Sequence, residues 1–86
     1  MSLGLKVNAL VTLGAAYALE CEYWVEYHTQ TARLAGASEE NIEDVKELAG
    51  FVTMWSKFLK GVNYDFDKFK EESTEAHQFI ASKMGG

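Results

Sequence analysis

A chain of 86 residues with 48% hydrophobic, 13% aromatic and 24% charged side chains has the inventory of a folded domain, which excludes disorder as a first reading. Thirteen acidic residues against eight basic ones give a formal net charge of −5. The basic residues are scattered, so no face gathers the charge needed to neutralise several phosphates, and nucleic acid is excluded as a partner.

The size and the apolar pattern set further expectations. A monomer this small buries only about 60% of the surface its unfolded chain exposes. Ordering costs roughly 1.5 kcal/mol per residue, which one core barely offsets, so a homo-oligomer is expected. The longest mainly apolar stretch, Val7 to Leu19, is broken by Asn8, Thr12 and Gly14. It falls short of the ~20 apolar residues that span a bilayer, so no membrane partner is expected. It also lacks the basic start and small-residue cleavage pattern of a secretory signal. A single cysteine cannot make an intrachain disulfide and agrees with a reducing compartment, hence a cytoplasmic location. Met1-Ser2-Leu3 and Gly85-Gly86 are expected to be frayed or added ends.

With no proline in the chain, glycine is the main punctuation, and the segments between glycines read as helices. The first, about Leu5 to Leu19, places Leu10, Leu13, Ala16 and Tyr17 at three- and four-residue spacing and reads as a buried helix. The second, Cys21 to Ala35, sets Trp24, His28, Thr31 and Ala35 on one stripe with Tyr23, Tyr27 and Leu34 beside it. Gly36 offers a left-handed stop. Ser38 followed by Glu39 and Glu40 starts the third: the hydroxyl caps free backbone donors and the carboxylates complement the helix dipole. Its apolar positions are Ile42, Val45, Leu48, Ala49, Val52, Trp55, Phe58 and Leu59, with Trp55 expected in the core and Gly61 ending the helix unless Gly50 interrupts it. The fourth, about residues 64–84, opens at Asn63 or Asp65 and carries the line Phe66, Phe69, Ala76, Ile80. No strand is evident. The fold class is therefore all-α, about four helices in one domain spanning residues 1–86.

The chemistry-bearing stretch is Cys21-Glu22-Tyr23-Trp24-Val25-Glu26-Tyr27-His28. Seven residues separate the thiol from the imidazole, ~10.5 Å along a helix axis, so His28 is not a direct base for Cys21. Glu20 and Glu22 flank the thiol with negative charge that opposes a thiolate, whereas the start of a helix favours one. A metal site built from Cys21, His28 and His77 would need three or four converging ligands, and no close ligand pair is present. No metal and no cofactor are expected. His77 reads as a surface residue.

This stretch is followed by Thr31-Ala32-Arg33-Leu34-Ala35-Gly36-Ala37-Ser38-Glu39-Glu40-Asn41-Ile42. Together they resemble the carboxymuconolactone decarboxylase family, including its alkylhydroperoxidase D branch. There a helix carries C-x-x-C-x-x-x-H, then an alanine-rich turn to A-G-A-[ST]-E-E-x-I, behind an apolar helix. The resemblance covers about residues 6–53, leaving the helix of about 64–84 outside it. It implies an all-helical subunit assembled into trimers or hexamers, with thiol peroxidase (peroxiredoxin-like) activity where both cysteines are present. Here Trp24 stands where those members have the second cysteine. Ala9 stands where they carry a relay glutamate twelve residues before the first.

The resemblance therefore implies a family protein whose two-cysteine peroxidase chemistry is lost or reduced. One alternative is an acid/base enzyme that uses His28 on a small carboxylated or lactone substrate. The other is a non-catalytic ligand-binding or structural oligomer. The candidate catalytic residues are His28 and Cys21, the candidate pocket residues Trp24, Tyr27 and Tyr17, and a small-molecule ligand is the expected partner besides the chain itself.

Overall fold

The computed structural model describes residues 2–85, and Met1 and Gly86, expected as frayed ends, lie outside the described residues. Its regular structure is α1 (Gly4–Ala18), α2 (Glu22–Leu34), α3 (Glu39–Gly61) and α4 (Phe66–Met84), with no strand among the described residues. The chain is all-α, as its periodicity requires.

The helix ends show how the sequence divides the chain. After α2, Gly36 takes φ +97°, and the amides of Gly36 and Ala37 donate to the carbonyls of Arg33 and Ala32 at 3.1 and 2.9 Å. This paired closure satisfies carbonyls that the helix end leaves open. The same closure ends α1, where Glu20 and Cys21 donate to Tyr17 and Ala16. The left-handed residue there is Glu20, at φ +57°. A side chain in that conformation costs about 1–2 kcal/mol, against the smaller entropic cost of glycine. Glu20→Gly is therefore expected to stabilise the fold by about 0.5–1 kcal/mol, read as a higher urea midpoint at unchanged slope.

The third helix runs through Gly50 without a break and ends at Gly61, as its sequence predicts. The left-handed residue that closes it is Asn63, at φ +52°, with Tyr64 donating back to the Leu59 carbonyl at 3.0 Å. Asn63 can do this because its short polar side chain tolerates the left-handed region. That leaves Asp65 to cap α4, its Oδ1 accepting from the Lys68 amide at 2.8 Å. At the other end of α3, Ser38 Oγ accepts from the Asn41 amide and Asn41 Oδ1 from the Ser38 amide, at 3.0 and 3.1 Å. Asparagine thus completes a reciprocal cap usually made with Glu or Gln.

The chain divides into two compact units, Met1–Ser56 and Lys57–Gly86. In the first, Ala9, Leu13, Ala32, Ala37 and Ile42 form the buried core, with Leu10, Val25 and Val45 packed on it. Most of these side chains are small, which brings the helix backbones close together. A Cβ on Gly14 would lie 3.3 Å from Val45 Cγ1, so the missing side chain is what lets α1 approach α3. The expected faces need correction. On α1 the buried residues are Ala9, Leu13 and Ala16, while Tyr17 is exposed, so the helix is only half-buried. On α2, where the spacing left the inward stripe open, the inward residues are Val25, Thr29 and Ala32. On α3 only Ile42 is fully buried, and Trp55 is 46% exposed with its ring edge-on to Phe51.

The turn between α2 and α3 carries a two-pronged ion pair, Arg33 Nε and Nη2 donating to Glu39 at 3.0 and 2.7 Å. The hydrogen bond from Arg33 holds the Glu39 carboxyl below its usual range. A carboxylate lowered by folding adds stability above its unfolded range and loses it as pH falls. The midpoint difference between the protein and Glu39→Gln is therefore expected to be small at neutral pH, reduced by salt, and absent near pH 3.

In the second unit, the Tyr64 hydroxyl donates to Glu72, and that hydrogen bond, followed by desolvation, raises the Tyr64 phenol above its ordinary range. The Tyr64 ring meets Phe69 edge-on at 6.3 Å. None of the α4 side chains is buried. His77 is exposed, with Nδ1 placed 2.7 Å from the Ser73 carbonyl oxygen.

Candidate functional site

The end of α1 and the start of α2 border an open cavity of about 360 Å³, lined by Thr12, Ala15, Ala16, Leu19, Cys21, Trp24 and His28. That volume lies within the ~300–1,000 Å³ of small-molecule sites. The tight closure after Ala18 turns the chain back on itself, and α2 then presents Trp24 and His28, one helical turn apart, to the Thr12 face of α1.

Thr12 is the hydrogen-bond partner of His28. Its Oγ1 lies 3.0 Å from both the Asn8 and the Ala9 carbonyl oxygens and 3.2 Å from His28 Nδ1. A threonine hydroxyl has one proton and two lone pairs. With its proton on a carbonyl, the hydroxyl accepts from Nδ1–H and the ring lone pair is on Nε2; with its proton turned to the ring, Nδ1 accepts it.

Two aromatic rings fix the imidazole from the other side. Trp24 stacks on His28 with centroids 5.3 Å apart and planes inclined by 26°, and Tyr27 meets it edge-on at 5.2 Å. Trp24 and Tyr27 also pack edge-on to each other at 5.3 Å. Trp24 is 54% exposed, so it forms one wall of the cavity without plugging it. His28 itself is half-buried.

Cys21 occupies the N-cap of α2 in extended conformation, makes no capping hydrogen bond through its side chain, and is half-buried on the same cavity wall. The structure thus brings Cys21, Trp24 and His28 to one cavity and places Tyr27 against the imidazole. Tyr17 stands outside the lining. Ala9 is fully buried in the core. Thr12 is the residue that sequence reasoning passed over, seen there only as a break in an apolar run. A lone hydroxyl on a helix face built of alanine and leucine was the available signal.

Among the described residues, no three His, Cys, Asp or Glu stand together in a way that could hold a metal ion. No helix is long and apolar enough to cross a membrane. The model of the carboxymuconolactone decarboxylase family matches residues 2–64, and the chain belongs to this family. No curated protein and no solved structure matches it.

Proposed function

We propose that this member of the carboxymuconolactone decarboxylase family runs no two-cysteine peroxidase cycle and uses its α1–α2 cavity for acid–base chemistry on a small lactone-type substrate, with His28 Nε2 as the proton acceptor. The observation that carries the reading is the Thr12 to His28 hydrogen bond at 3.2 Å, which orients the ring; the reading takes the tautomer with its proton on Nδ1. Trp24 holds the plane of the imidazole, and Cys21 lines the cavity as a small, half-buried side chain.

Loss of peroxidase chemistry rests on Trp24 and the single cysteine. A dithiol peroxidase needs one thiol to attack the peroxide and a second to resolve the sulfenic acid so formed. The sequence contains one cysteine, and an indole at position 24 does neither task. The reading includes self-assembly as a trimer or hexamer in the cytoplasm. Its support is an apolar groove of about 370 Å³ between α1 and α3, where Val11, Leu48 and Val52 are exposed.

Two measurements on the same protein test the reading. With an organic hydroperoxide and a dithiol donor, turnover is expected to stay at background and to be the same for Cys21→Ser. Nitrogen-15 NMR is expected to show His28 with its proton on Nδ1. Rapid Cys21-dependent turnover would restore the peroxidase, and a proton on Nε2 would remove the base.

A further inference from the structure

The charge around the cavity narrows what it can hold. Met1–Ser56 contains three basic residues, Lys6, Arg33 and Lys46, against eight acidic ones, so the whole net charge of −5 sits on the unit that bears the site. None of the three basic residues lines the cavity, and Arg33 is already committed to Glu39. The carboxylates lie close by in sequence: Glu20 stands between the lining residues Leu19 and Cys21, Glu22 follows Cys21, and Glu26 lies between Trp24 and His28. A bound anion would meet this negative field with no lysine or arginine in the lining to neutralise it, and it would lose its hydration on entry.

The remaining walls suit a flat, uncharged molecule. Ala15, Ala16 and Leu19 offer an apolar floor, and Trp24 offers a broad face whose indole is half-exposed. Polar side-chain atoms come from Thr12, Cys21, His28 and the Trp24 indole N–H. The Thr12 hydroxyl is engaged by two carbonyls and by Nδ1, so Nε2 is the acceptor for a ligand. We infer that the cavity takes an uncharged, flat, unsaturated or aromatic ring that lies against Trp24 and presents a proton donor to His28 Nε2, and that it rejects the carboxylate analogue of the same ring. This rests on the acid–base reading of His28 and adds the ligand class to it.

Binding of 2-naphthol and 2-naphthoate to the full chain tests the inference, since at neutral pH the two share a ring system and differ in charge and in the transferable proton. Calorimetric titration is expected to show 2-naphthol binding at least about tenfold more tightly, a difference of ~1.4 kcal/mol. Added salt is expected to narrow the gap, because exposed carboxylates act through solvent. Trp24→Ala, at a half-exposed position that leaves the core intact, is expected to weaken 2-naphthol binding about tenfold or more, in line with loss of a ring-stacking wall. Equal or tighter binding of 2-naphthoate, or no binding of either probe, would overturn the inference. So would 2-naphthol binding that Trp24→Ala leaves unchanged. Each of these leaves the acid–base reading to its own test, the tautomer of His28.

Discussion

Replacing His28 by Gln is expected to lower kcat for a small lactone accepted by the protein by about 10²–10⁴-fold, the usual contribution of a positioned acid–base group. The amide keeps a polar side chain in the cavity but accepts no proton, so KM should move much less than kcat. Thr12 is a positioning residue in this scheme, and its variants separate position from chemistry. Thr12→Val removes the acceptor that holds Nδ1–H, and the imidazole can then place its proton on either nitrogen. A fall in kcat of about tenfold is expected, together with a population of Nε2–H imidazole visible by NMR. Thr12→Ser keeps the hydroxyl and should restore both. If His28→Gln leaves kcat unchanged for every lactone turned over, His28 is not the base.

Leu13→Ala is expected to destabilise the fold by about 2–5 kcal/mol. Leu13 is the one large side chain that is fully buried among the described residues, and its neighbours in the core, Ala9, Ala32 and Ala37, are too small to close over a cavity. A small domain has only a few kcal/mol in reserve, so thermal melting by circular dichroism should show a large fall in Tm or loss of the transition. By contrast, Leu34→Ala, at a residue 91% exposed, should shift stability of the isolated subunit by no more than about 0.5 kcal/mol. Comparable losses at the two positions would mean that Leu34 is covered in the assembly.

The local signals of this sequence determined the element order. Absence of proline, apolar spacing of three and four, Gly36, and Ser38 ahead of two glutamates each act within one helical turn. For that reason α1, α2, α3 and α4 all lie within a few residues of where periodicity placed them. The Cys21 to His28 stretch was likewise visible as a concentration of polar and aromatic side chains, and Cys21, Trp24 and His28 do line one cavity.

Tertiary structure decided what the spacing left open. Which residue at the end of α3 enters the left-handed region is decided by packing, since Gly61 and Asn63 are both of types that can do so. Which stripe of α2 faces inward depends on the neighbouring helix: the small, alanine-rich face of α1 admits Thr29 and Ala32 and leaves the bulky Trp24 and Tyr27 outside. The partner of His28 lies sixteen residues away on another helix, and no local pattern encodes a contact of that kind. Only the packing of α1 on α2 brings the Thr12 hydroxyl to Nδ1.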